Sequence, residues 1–236
     1  MINALFLFLA SLKFGKVLLS VGSMLVTIWV YTTIFGLPFA AGFVGLILVH
    51  ELGHYAAARQ KGLDAGLPMF IPFVGAWIAL KDKFLDAETE AYIAYAGPFV
   101  GTLGAFCVYF LGRHQESDLL MALAYSGFMI NLFNLIPLSP LDGGRITQIL
   151  SPRIWFAGVP LLVALFYYYP SPLLILIAVL AVPSLLAAWR YDPQAPEARA
   201  YRDIPLATKV EYTILYLGLA IVLALLAHDV HGSLRH

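Results

Sequence analysis

Leu48-Val49-His50-Glu51-Leu52-Gly53-His54-Tyr55 is the stretch on which the reading of this chain turns. It carries His-Glu-x-x-His inside an apolar run covering residues 37–59. Side chains four apart on a helix share one face and lie one turn above each other, so His50 and His54 present imidazole nitrogens to a single point. Glu51 sits beside that face. A carboxylate placed there takes a proton from a metal-activated water without ligating the metal, which is the division of labour in zinc hydrolases. The plainer reading is two surface histidines flanking a solvated glutamate. It fits poorly in an apolar run, because a charged group at the centre of a membrane helix costs about 2.5–3.5 kcal/mol on insertion scales. A bound cation offsets that cost.

The apolar run is one of several. Of 236 residues, 61% are hydrophobic and only 12% charged, which puts the chain in the polytopic membrane class. The formal net charge is zero, so no basic surface points to nucleic acid. The single cysteine, Cys107, excludes an internal disulfide and reads as a small apolar residue of a membrane helix. Residues 1–10 are apolar but lack a basic leader and run into Lys13 and Lys16 with no small-x-small cleavage site, so no removable signal peptide is expected.

Spans are sought as about 20 apolar residues. They predict an all-α polytopic membrane protein with six to seven transmembrane helices, at residues 17–35, 37–58, 91–111, 119–136, 154–169, 173–189 and 210–227. The short pair at 154–169 and 173–189, joined by Pro170-Ser171-Pro172, packs as two spans or as a partly re-entrant pair. Residues 3–12 are too short to cross and are expected at the interface. Placing the N-terminus in the cytoplasm puts every Lys and Arg on that side except Arg113 and Arg235, and puts the His-Glu motif towards the same side.

Residues 66–80, GLPMFIPFVGAWIAL, are apolar, marginal in length for a span, and interrupted by Pro68 and Pro72. Both flanks fall on one side of the membrane. A small re-entrant, β-like segment satisfies these facts, with its backbone groups paired inside protein or a wet cavity. Such an edge offers main-chain hydrogen bonds to an extended peptide, with Gly66, Pro68, Pro72 and Gly75 shaping it. A loop lying on the membrane surface is the simpler alternative.

Two histidines and a water leave zinc one ligand short of four. Nearly every later acidic residue sits among polar neighbours at a loop position, but Asp142 does not. It lies in Asn134-Leu-Ile-Pro137-Leu-Ser-Pro140-Leu-Asp142-Gly143-Gly144-Arg145, where prolines end a span and glycines allow a sharp backbone turn. Asp-Gly is also a common turn signal, so Asp142 reads either as a turn residue or as the missing ligand. Asn134 either satisfies carbonyls freed by Pro137 or donates to a substrate carbonyl and the oxyanion formed on it.

Taken together, His50-Glu51-x-x-His54 and the later Asn134-x-x-Pro137-x-x-x-Leu141-Asp142-Gly143 resemble the site-2 protease family of intramembrane zinc metalloproteases. The likeness covers about residues 37–145. Ala96-Gly97-Pro98 also resembles the family, although many members carry Asn three residues after the proline and this chain has Gly101. The resemblance implies cleavage of a transmembrane segment of another protein within the bilayer. It implies one zinc ion per chain held by His50, His54 and Asp142, Glu51 as general base, Asn134 on substrate or oxyanion, and residues 66–80 as the strand that holds unwound substrate. The expected organisation is a single integral-membrane protease domain over 1–236, with a core at 37–145, accessory helices at 1–36 and 154–227, and no PDZ or nucleotide-sensing domain.

Three other readings compete. A membrane protease that trims prenylated C-termini takes a downstream glutamate as third ligand, and only Glu197 and Glu211 lie beyond the fourth span, in or beside a polar loop. A non-catalytic metal-binding scaffold or transporter is best supported by loss of the base, and Glu51 is present. His228, Asp229, His231 and His236 read as a polar tail across the membrane from the motif, not as a second metal site.

Overall fold

In lipid the backbone finds no partner but itself, so long apolar runs become helices. The computed structural model describes residues 2–79 and 86–234, with side chains from residue 15 onward. Met1, Leu80, residues 81–85, Arg235 and His236 lie outside the described residues. The chain runs α1 (Ile2–Phe35), α2 (Leu37–Gln60), β1 (Met69–Ile71), β2 (Gly75–Trp77), α3 (Ala87–Gln115), α4 (Asp118–Asn134), α5 (Asp142–Thr147), a 3-10 helix (Pro152–Ala157), α6 (Gly158–Tyr168), α7 (Pro172–Trp189), α8 (Pro196–Tyr201) and α9 (Leu206–Ser233).

Residues 3–12 do not form a separate interfacial piece: they are the first turns of α1. No proline lies between Leu12 and Val17, and Lys13 and Lys16 favour a helix, so the single Gly15 is tolerated. Gly36, at φ 79°, then reverses the chain into α2 in a conformation that other residues rarely take. Asp86 caps α3 by accepting from the Thr89 amide at 2.6 Å, and Ser117 caps α4. His228, Asp229 and His231 belong to the last turns of α9, not to a tail, since no proline interrupts it, whereas His236 lies outside the described residues.

Among the described residues, five helices are long and apolar enough to cross a membrane: Gly15–Phe35 of α1, α2, α3, α7 and α9. α4 has 17 residues, about 26 Å at 1.5 Å per residue, and the 3-10 helix with α6 makes a shorter apolar element. The expected number of six to seven spans therefore depends on how α4 and α6 sit in the bilayer.

α2, α3 and α4 pack as the centre, and α9 closes them from one side through Leu219, Leu223, Ala227 and Val230 against Phe128 and Ala105. α1 covers α2, with Tyr31 packed among Val44, Ile47 and Phe70. The segment after α4 folds against α6 and α7 around Ile136, Leu138, Leu141, Leu162, Leu174 and Ile177. Its freed carbonyls find partners within the protein. Tyr216 donates to Leu135 at 2.6 Å, Trp155 to Gly144 at 2.7 Å and Thr147 to Gly143 at 2.7 Å.

The re-entrant segment is a two-stranded antiparallel hairpin with Met69 opposite Trp77 and Ile71 opposite Gly75. It is tied to α1: the Ser20 hydroxyl donates to the Pro68 carbonyl, and the amides of Phe70 and Phe73 donate to Ser23 Oγ and Tyr31 Oη at 3.1 and 2.9 Å. Among the described residues β2 pairs only with β1, so its outer edge carries no strand.

Candidate metal centre

His50, Glu51 and His54 are all buried on α2. α3 makes room for them with glycine. A Cβ at Gly97 would lie 2.2 Å from His54 Nε2, and one at Gly53 would lie 2.4 Å from the Ala96 carbonyl oxygen. His54 Nδ1 donates to the Ile93 carbonyl at 2.7 Å. A carbonyl only accepts, so the proton is on Nδ1 and the Nε2 lone pair is free to ligate.

His50 is oriented by a residue that the sequence reading passed over. Its Nδ1 lies 2.8 Å from Asn131 Oδ1, while Asn131 Nδ2 donates to the Gly127 carbonyl at 2.7 Å. With the amide nitrogen engaged by a carbonyl, Oδ1 accepts from His50 and again leaves Nε2 as the lone-pair donor. Gly101 is part of this arrangement, since a Cβ there would come 2.3 Å from Asn131 Oδ1. The departure from the family pattern at Gly101 thus leaves space for an asparagine from the next helix. An amide in an apolar helix was the signal available, and Asn131 and Asn134 both carried it.

Asp142 opens α5, and its carboxylate is buried. Oδ2 stands 3.2 Å from His50 Nε2 and 3.2 Å from His54 Nε2, and the two imidazole nitrogens are 3.1 Å apart. The turn-residue reading is thereby set aside, and the part played by the glycines changes. Gly143 and Gly144 lie in the first turn of α5, where added Cβ atoms would strike Leu135 O at 2.2 Å and Ser139 N at 2.3 Å. They permit close packing of α5 on its own approach segment and do not supply an unusual backbone angle.

Two imidazole lone pairs and a carboxylate oxygen facing one another repel unless a cation lies among them. Separations of 3.1–3.2 Å suit the roughly 3.3 Å expected between two ligands of a tetrahedral ion with bonds near 2.05 Å, as for zinc. Among the described residues these three form the one group of His, Cys, Asp or Glu donors close enough to hold a metal ion. Glu197 and Glu211 are exposed and far along the chain, so no glutamate competes with Asp142.

The three donors and Glu51 line a cavity of about 760 Å³, with β2, α4, α6 and α7 supplying mostly apolar walls. Asn134 lines it too, while its Nδ2 donates to the Ile130 carbonyl at 3.0 Å. Of the four residues expected to shape the strand edge, Gly75 opens β2 and lines the cavity. Gly66 is engaged with Ala79 at 2.8 Å, Pro68 accepts from Ser20, and Pro72 stands in the hairpin turn.

A bundle of membrane helices built around a buried three-donor metal centre is the class that fold and site define. The model of peptidase family M50 matches residues 38–116, which include both histidines and Glu51 but end before Asp142. Zinc metalloprotease MJ0392 of Methanocaldococcus jannaschii is 32% identical over 111 residues, covering 45% of this chain and 32% of that protein. MJ0611 of the same organism is 30% identical over 142 residues, covering 51% of this chain and 74% of that protein. The chain belongs to peptidase family M50. A solved structure, the site-2 protease from M. jannaschii, aligns over 77% of this chain and 87% of that one at 26% identity and a TM-score of 0.47. The chain spans about a third of the length of MJ0392 and of the plant and mycobacterial relatives it also matches.

Proposed function

We propose that this protein is an intramembrane zinc metalloprotease that hydrolyses a peptide bond within or near a transmembrane segment of another membrane protein. The observation that carries the reading is the convergence of His50 Nε2, His54 Nε2 and Asp142 Oδ2 within 3.2 Å beside Glu51, on the floor of an apolar cavity. Zinc, when held by these three side chains, acts as a Lewis acid and acidifies water. Everything else is the work of the chain. Asn131 and the Ile93 carbonyl keep the ligand nitrogens unprotonated. Glu51 takes a proton from the attacking water as its oxygen bonds to the peptide carbonyl carbon. The same carboxylic acid returns that proton to the amide nitrogen as the C–N bond breaks.

A helical substrate hides its carbonyls, so it must be unwound before attack. The open edge of β2 beside the cavity offers main-chain partners to an extended peptide, and Asn134 offers an amide donor to its carbonyl. The clustering of Lys and Arg supports an orientation with the N-terminus and the metal centre towards the cytoplasm.

The test is incubation of purified protein with a model transmembrane substrate, with and without a zinc chelator, beside Glu51→Gln. Product is expected only from native protein without chelator. Glu51→Gln is expected to keep zinc and to lose about 100-fold or more in rate. Full activity in that variant removes Glu51 as the base, and activity that survives chelation removes the metal.

A further inference from the structure

Arg145 follows Asp142 by one turn on α5, and its guanidinium reaches two carboxylates. Nη1 is 3.6 Å from Asp142 Oδ1, and Nε is 3.4 Å from Glu90 Oε1 on α3. The oxygen that Arg145 faces is the one Asp142 turns away from the histidines, since Oδ2 is the atom 3.2 Å from both imidazoles. Side-chain exposures of 24% for Arg145 and 15% for Glu90 shield this pair from the screening that makes surface bridges weak.

The chain of contacts continues outward. Glu90 Oε2 accepts a hydrogen bond from the Tyr201 hydroxyl at the end of α8. Burial and the neighbouring Glu90 carboxylate push the Tyr201 phenol well above its ordinary value, so it stays a donor at neutral pH. Arg202 donates to the Gln148 carbonyl just past α5 at 2.9 Å and lies over the Tyr201 ring. α8 contributes no buried residue of its own, yet Tyr201 ties it to Glu90 on α3, and Arg202, the residue after it, ties it to Gln148, the residue after α5.

A carboxylate free to rotate offers either oxygen to a metal. A guanidinium anchored on Glu90 and ion-paired with Oδ1 at 3.6 Å opposes that rotation by charge attraction, leaving Oδ2 to the metal. We infer that Arg145, Glu90 and Tyr201 are positioning residues that hold Asp142 with Oδ2 towards the metal, so that α8, outside the membrane bundle, sets the affinity of the centre. The inference rests on the metal-centre reading above. A simple staple of α8 onto α3 is the competing role, and it affects stability without touching the metal's surroundings.

Cobalt(II) titrated into the full chain in detergent separates the two, because its visible absorption reports ligand geometry without any cleavage. Arg145→Lys keeps the charge but loses the fork, and Tyr201→Phe loses only a hydroxyl. Cobalt affinity is expected to fall about tenfold in the first and about threefold in the second, with an altered band shape, in keeping with the losses seen when a ligand's outer partner is removed. The double variant is expected to fall no further than Arg145→Lys alone, because the hydroxyl acts through the guanidinium. Native affinity and spectrum in both single variants, even with lower thermal stability, overturn the relay, and so do losses that multiply. Native protein that binds cobalt yet cleaves nothing sinks the protease reading alone. Native protein that binds no cobalt sinks both.

Discussion

The α2–α3–α4 centre and the α6–α7 flank are both apolar helices, but they are held in different ways. In the centre, 44% of the membrane window of α2 and 39% of that of α3 is buried, against 22% for α7. Glycines let the central helices close on one another: a Cβ at Gly53 would strike the Ala96 carbonyl, ones at Gly97 and Gly101 the His54 ring and the Asn131 amide, and one at Gly127 would lie 2.9 Å from Ala105 Cβ. α7 shows Ile175, Val179 and Val182 to its surroundings and meets the rest mainly through the 3-10 helix and the segment after α4. Both histidines and the partner of His50 come from the close-packed side, whereas the cavity shares its walls between the two sides. Close packing holds donors to a few tenths of an ångström, which a metal requires. A less buried wall suits the admission of a segment as large as a helix, which the proposed substrate requires.

Four substitutions, two of them paired with a control, test this contrast, in falling order of effect. Asp142→Ala removes a donor outright, and zinc affinity measured against a competing chelator is expected to drop more than about 100-fold, beyond the usual loss of an outer partner. Unchanged metal content would show that α5 is not part of the centre. Gly97→Ala puts a methyl where His54 stands, and a loss on the order of 100-fold is expected. Gly45→Ala on the open face of α2, where nothing lies within 4 Å, is its control and should bind like the native chain. Equal behaviour of the two alanines would break the claim that glycine spacing holds the donors.

Asn131→Leu keeps the branched shape beside His50 but deletes the acceptor, and about 10–100-fold weaker zinc binding is expected by the same titration. Asn134→Leu should leave affinity near native, because Asn134 bonds to its own helix and not to a ligand. On the flank, Leu180→Trp narrows the cavity from α7. It is expected to leave zinc affinity unchanged and to lower kcat/KM for a bulky transmembrane substrate about fivefold, the roughly 1 kcal/mol at the low end of what a small change in an apolar pocket is worth. A loss of zinc there would mean that the flank, too, supports the donors.

Much of the centre was legible before any coordinates. The spacing of His50 and His54 is a property of one helix, and Asp142 stood out as the acidic residue without polar company. Asn131 was missed because it and Asn134 look alike in an apolar run, and only the packing of α4 against α2 and α3 separates them. The glycines after Asp142 were read for backbone freedom, whereas what they provide is room for the carbonyl of Leu135 and the amide of Ser139. Residues 3–12, expected at the interface because they are too short to cross, run on into the first span as one helix, because charge alone does not end a helix.

Sequence by itself determined that these helices belong in a membrane, which two imidazoles share a face, and which carboxylate had reason to join them. Those conclusions rest on helical periodicity and on the cost of polar groups in lipid, both carried by a residue and its near neighbours. Tertiary structure decided that Asn131 orients His50 across 81 residues and that Arg145 spans Asp142 and Glu90 across 55. Such pairings depend on how closely separate helices approach, and that distance is set by side chains on every helix in contact.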